Sequence, residues 1–165
     1  MKEKHVRKAG ERGRGRWWSL GLVMIGAAAA AGCGGTPFEL TQATLEDHRA
    51  RWLRAGIVDY RYEHVRRCEC LAAITQPAVV EVRRGLVTSV VYAGTGEPAG
   101  ATEQRFFPTV EDLFEVIDDA IRQRAASLVV SYHESLGYPT SISIDYDTQV
   151  ADDEFSIDAT GLAPL

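Results

Sequence analysis

From Asp59 to Cys70 the residues alternate with period two: Tyr60, Tyr62, His64, Cys68 and Cys70 fall on one side, and Asp59, Arg61, Glu63, Arg67 and Glu69 on the other. Aromatic against charged at this period is the pattern of a strand with one face in a core and one in water. Parallel sheets are covered on both faces, so a strand of this kind belongs in an antiparallel sheet with one wet side. That single run therefore restricts the fold more than any other stretch of the chain.

The remaining segments supply the sheet's other strands and its cover. Val79 to Arg83 and Leu86 to Tyr92 are β-branched runs around Arg84-Gly85, a tight hairpin turn. Leu128 to His133 and Thr140 to Tyr146 form another pair, and Phe155, Ile157 and Ala159 face inward from a last strand. Thr41 to Gly56 reads as a helix with Thr44 as N-cap and a face of Leu45, Trp52 and Leu53. The stretch from Cys70 to Pro77 reads as an irregular link, and Gly94 to Gly100 as an exposed loop. The clearest helix start is Pro108-Thr109-Val110-Glu111-Asp112, where Thr109 caps and Asp112 reaches back. Val110, Leu113, Phe114, Ile117, Ala120 and Ile121 then recur at helical spacing. The expected fold is α+β, an antiparallel sheet of about six strands with two helices packed on one face. Helix plus three strands occurs twice in this order, as a tandem repeat would give.

The first 32 residues are of another kind. Residues 2 to 16 carry seven Lys or Arg against two Glu and run into an apolar stretch, Trp17 to Ala31, of 15 residues. Basic, then apolar, then small is the order of an export signal, and a permanent helical span takes roughly 20 residues. Ala30-Ala31-Gly32-Cys33 resembles the cleavage and acylation box of a bacterial lipoprotein, with Ala30 where Leu is commonest. Ordinary cleavage at Ala27-Ala28-Ala29 is the alternative. The division expected is a signal over residues 1–32, a lipidated Cys33 with a tether to residue 40, and one domain over residues 41–165.

Cutting at Cys33 changes the charge and the cysteine count. The 133 residues that remain carry 11 basic and 21 acidic side chains, so the net charge moves from −5 to near −10. Such an excess of acid argues against nucleic acid as a partner and against lying on an anionic membrane surface. With Cys33 acylated, Cys68 and Cys70 form an even pair.

Trp52, Asp59-Tyr60-x-Tyr62, Cys68-x-Cys70, Val80-Glu81-Val82-x-x-Gly85, Pro108-Thr109-Val110-x-x-Leu113-Phe114 and Tyr132 followed by Leu136-Gly137-Tyr138-Pro139-x-x-Ile142-x-Ile144-Asp145 occur in this order. Together they resemble the bacterial family catalogued as domain of unknown function 6174, over about Leu45 to Leu162. His133 stands where Asp is expected after Tyr132. The resemblance implies an exported, often lipid-anchored protein, and carries over no activity and no catalytic residue. At the level of fold alone the pattern is also similar to small secreted inhibitory modules of the PepSY and β-lactamase-inhibitor kind.

Cys68 and Cys70 admit three readings. In a regular strand their Cα atoms lie ~6.6 Å apart, at the upper edge of the disulfide range, so a bridge requires a local bulge or turn. A redox pair would draw on Arg66 and Arg67 to stabilise a thiolate, but lacks Cys-x-x-Cys at a helix start. A metal site would add His64 and lacks a fourth ligand. An oxidising compartment favours the bridge. His133, Glu134 and Ser135 are consecutive and read as turn residues, with no Gly-x-Ser-x-Gly elbow. Asp145, Asp147, Asp152, Asp153 and Glu154 lack EF-hand spacing and read as a solvated turn. Trp52, Tyr60 and Tyr62 read as core in preference to a ligand groove. The expectation is a non-enzymatic, lipid-anchored envelope protein that binds an envelope partner, without metal or cofactor, and facing the periplasm from the outer membrane in a Gram-negative cell. The alternatives are an inhibitor-like module against a secreted hydrolase, or a thiol or metal site at Cys68 and Cys70.

Overall fold

The computed structural model describes residues 37–165 apart from Ala151, with side chains from residue 41 onward. Cys33 and the segments before it lie outside the described residues. The elements are α1 (Pro37–Ala55), β1 (Asp59–Arg67), α2 (Ala72–Thr75), β2 (Ala78–Arg83), β3 (Leu86–Tyr92), α3 (Ala101–Gln104), α4 (Val110–Gln123), β4 (Ser127–Tyr132), β5 (Pro139–Asp145) and β6 (Phe155–Pro164).

All neighbouring strands pair antiparallel in one sheet of order β3-β2-β1-β6-β5-β4. Helix plus three strands does recur as an order of elements, with the single-turn α2 and α3 added, and each trio is laid down in the same lateral sequence. The alternation of β1 holds through its first half: Tyr60, Tyr62 and His64 are buried while Arg61 and Glu63 are exposed. The expected hairpin is present, with Arg84 and Gly85 both at positive φ (52° and 75°), the backbone of a two-residue type I′ turn. Asp59 Oδ1 accepts from the Arg84 N–H at 2.8 Å and ties that turn to β1.

Both long helices cover one face. α4 starts as its sequence requires: Thr109 Oγ1 accepts from the Asp112 N–H, and the Asp112 carboxylate accepts from the Thr109 N–H. Its apolar stripe of Val110, Leu113, Phe114, Ile117, Ala120 and Ile121 is buried. Those side chains meet Tyr60, Tyr62, Val80, Val82, Ile142, Ile144 and Ile157 of the sheet. Among its described side chains α1 buries Leu45 and Trp52 fully, and it crosses α4 through Arg49–Glu115 (3.0 Å) and Gln42–Asp118 (3.1 Å).

Beyond one-residue shifts of β2, β4 and β5 and the burial of Ala99 in the loop read as exposed, three larger differences from the sequence reading stand out. α1 (Pro37–Ala55) reaches back past Thr41, so it takes in residues assigned to the tether, and Thr44 lies within the helix instead of capping it. The link after β1 contains one helical turn, α2, because Ile74 has a place in the core. Finally, β1 ends at Arg67 and Cys68-Glu69-Cys70 is a tight turn, closed by the Cys70 N–H donating to the Cys68 carbonyl at 2.9 Å.

Candidate functional site

Two places collect the residues singled out above: the junction beneath the helices and a cleft beside the Cys68-Cys70 turn. At the junction, Trp52, Tyr60 and Tyr62 are buried and hold the start of α4. Tyr60 Oη accepts from the Val110 N–H at 2.8 Å and donates to Glu111 Oε2 at 3.1 Å. Trp52 Nε1 donates to Glu111 Oε1 at 2.9 Å, and the Tyr62 hydroxyl donates to the Pro108 carbonyl. Burial pushes both tyrosine hydroxyls up from the ordinary phenolic range, so they remain protonated donors. These aromatics are core; Tyr60 satisfies the Val110 N–H, a first-turn donor that a helix cannot satisfy itself, while Trp52 and Tyr62 hold the Glu111 carboxylate and the Pro108 carbonyl.

The turn between β4 and β5 is a second structural anchor. His133 Nδ1 accepts from the Leu136 N–H at 3.2 Å, and its ring stacks on Tyr138 at 5.0 Å. Glu134 offers its carbonyl to Arg51 of α1 at 2.9 Å. Tyr132 stacks on His48 at 3.9 Å, and its hydroxyl is pushed up to about 12 by burial. The consecutive His133, Glu134 and Ser135 are therefore turn residues. In the link between β5 and β6, repulsion within the acidic group shows at Asp153, whose carboxyl is raised by desolvation and by Asp145, Asp147 and Glu154. Among the described residues no three His, Cys, Asp or Glu side chains gather as a metal site.

The Cys68 and Cys70 sulfurs are 2.02 Å apart, at disulfide distance, with the Cα atoms at 5.2 Å. The turn supplies the approach that an extended strand denies. His64 lies in the core with its ring edge-on to Tyr62 and Phe107, and both sulfurs are taken by each other, so the three do not form a ligand set. The bridge closes so short a loop that the unfolded chain gains little freedom on reduction. The double substitution Cys68→Ser, Cys70→Ser is expected to lower stability by no more than ~1.6 kcal/mol. Urea unfolding checks this, and loss of the folded state would contradict it.

The turn forms one wall of a cleft of about 680 Å³ lined by Arg66, Arg67, Thr75, Ser143, Phe155 and Ser156 among others. Its formation follows from the sheet: Arg67 pairs with Ser156 across β1 and β6, and Ser143 with Ser156 across β5 and β6. Arg67 is tied to Asp158 at 2.7 Å, which with the Ser141 hydroxyl holds that carboxyl below the usual range. Arg66 is different. Its guanidinium is half-buried, lies 5.1 Å from the Phe155 ring centroid, and has no carboxylate at ion-pair distance among the described residues. Its buried Nε has no acceptor there either, and desolvation lowers its pKa.

The sequence reading brought Arg66 and Arg67 forward only as neighbours of a thiolate, and passed over Phe155, Ser143 and Ser156 as members of a site. A signal was present: Arg66 falls on the inward side of β1 together with Tyr60, Tyr62 and His64. A charge at an inward position calls for a counter-charge or a ligand.

Of the positions that carry the family resemblance, Trp52, Tyr60, Tyr62, Thr109, Gly137 and Tyr138 lie in the two structural anchors, and Cys68 and Cys70 line the cleft. No curated protein and no solved structure matches the chain. A family model described as a family of unknown function, DUF6174, matches residues 44–164, the whole of the sheet and helix layer apart from the first residues of α1 and the final residue, and the chain belongs to that family.

Proposed function

We propose that the protein is an exported, lipid-anchored, non-enzymatic binding domain of the bacterial envelope, tethered through Cys33, which receives its partner in the cleft beside Cys68 and Cys70. The single observation that carries the binding role is that cleft, which offers a cation against an aromatic ring, with two carboxylates on its rim. These are groups that orient and hold a polar ligand. The cysteine sulfurs, bonded to each other, supply no nucleophile there. The anchor rests on Ala30-Ala31-Gly32-Cys33 and on the basic and apolar segments before it. No helix among the described residues is long and apolar enough to cross a membrane.

The test is the intact mass of the protein purified from its native membrane, followed by cross-linked capture of envelope components with residues in the cleft. The expected mass is that of a chain starting at an acylated Cys33, two hydrogens lighter than the dithiol. A chain retaining Met1, or an unmodified Cys33, overturns the anchor. Turnover of a substrate without stable capture overturns the binding role.

A further inference from the structure

Resting on that reading of the cleft, we infer that Arg66 is the anchor of a carboxylate-binding site, and that the partner presents a carboxylate to it. A guanidinium is planar, with a fork of donors along its edges and weakly hydrated faces. Phe155 occupies one face of the Arg66 group, at 5.1 Å, which leaves the donor edges for hydrogen bonding. A half-buried cation without a protein counter-ion is unfavourable unless an anion accompanies it. The neighbouring Arg67 shows the contrast, with Asp158 at 2.7 Å.

The walls select among anions. A carboxylate matches the arginine fork with two parallel hydrogen bonds. Arg66 pairs with Ile157 and Phe155 with Ile144 on the helix-covered face of the sheet, whereas Ser143 and Ser156 pair with each other on the opposite face, so the guanidinium beside the Phe155 ring is the group that meets the anion. Glu69 and Glu154, both exposed on the rim, disfavour a dianion more than a monoanion, which sets phosphate behind carboxylate. The same rim carboxylates suit a ligand with a hydroxyl or ammonium near its acid, as in the end of a peptide. A small organic acid and a peptide C-terminus share this chemistry.

Titration of the ¹⁵N-labelled full chain at constant ionic strength distinguishes the sources and tests the site, with the amides of Arg66, Arg67, Ser143 and Ser156 as reporters. Acetate and trialanine are expected to give saturable shifts there. Inorganic phosphate is expected to bind more weakly, and trialanine amide not to bind. Tighter binding of trialanine than acetate assigns a peptide end, and equal binding a small acid. Arg66→Gln is expected to weaken acetate at least about tenfold, the loss of a charged hydrogen-bonded pair, with Arg66→Lys between it and the parent. If Arg66→Gln fails to fold, Phe155→Leu keeps the guanidinium, removes the ring that holds its face, and is expected to weaken acetate a few-fold. Absence of saturable shifts, tighter phosphate than acetate, or an unchanged Kd in folded Arg66→Gln overturns the inference. Capture of an envelope partner that persists in Arg66→Gln leaves the binding role standing and removes the carboxylate site alone.

Discussion

Gly137→Ala is expected to destabilise the protein by about 3 kcal/mol, the joint effect of a left-handed backbone and a blocked Cβ position. Gly137 has φ +81°, and a Cβ built there meets the His48 carbonyl oxygen at 2.6 Å and Arg51 Cβ at 2.8 Å. The first obstacle is backbone of α1 and cannot rotate aside. The turn cannot simply move either, because the Gly137 N–H donates to the His133 carbonyl and the His133 N–H to the Tyr138 carbonyl, each at 2.8 Å. Relief therefore requires α1 to lift from the turn, which strains the His48–Tyr132 stack, the Trp52–Tyr138 contact and the Arg51–Glu134 hydrogen bond together. Gly85→Ala is the control: it has similar φ, +75°, and nothing within 4 Å, so only the conformational cost of about 1 kcal/mol is expected. Urea midpoints for the two variants separate the contributions. Equal losses would show that α1 does not press on this turn.

The same pair of glycines shows what was legible in the sequence. Gly85 was readable as a turn because local chain geometry alone demands it between two β-branched runs. Gly137 was readable only as part of a motif, since its tightest requirement comes from α1, some ninety residues earlier. The sheet and α4 were likewise visible, as period two and period 3.6 report which side of an element is buried. The order of strands was not, because β1 pairs with β6 through side chains that any buried strand could carry. The limits of β1 were misjudged for a related reason. Period two continues arithmetically through Cys68 and Cys70, whereas forming the bridge bends the chain out of the strand. The cleft depends on that bend and on the juxtaposition of β1, β5 and β6, so its members could not be gathered from spacing. Only the inward Arg66 announced it.

His64 shares the inward side of β1 with Arg66, and its burial has a consequence for stability at acidic pH. The ring is 0% exposed, neither nitrogen has a hydrogen-bond partner among the described residues, and its pKa is lowered to about 4. Desolvation is the main cause; Arg66 adds to it and Asp158 opposes it. In the unfolded chain the imidazole returns to about 6.5. Between pH 6.5 and 4 the unfolded state therefore binds the proton and the folded state does not, so stability falls as pH falls through this window. The difference of about 2.5 units corresponds to roughly 3 kcal/mol, all of it present above pH 6.5. His64→Leu removes the titrating group from a site walled by Tyr62 and Phe107 and is expected to flatten the dependence. Other groups contribute as well: His48 is also lowered and acts in the same direction, raised Asp153 acts in the opposite one, and lowered Asp158 loses its contribution only below the ordinary carboxylate value. Taking the unfolding free energy of the parent minus that of His64→Leu at each pH cancels these shared terms. That difference is expected to shift by roughly 3 kcal/mol against the parent as pH drops from 7 to 4. A difference constant with pH would mean that His64 accepts its proton in the folded core.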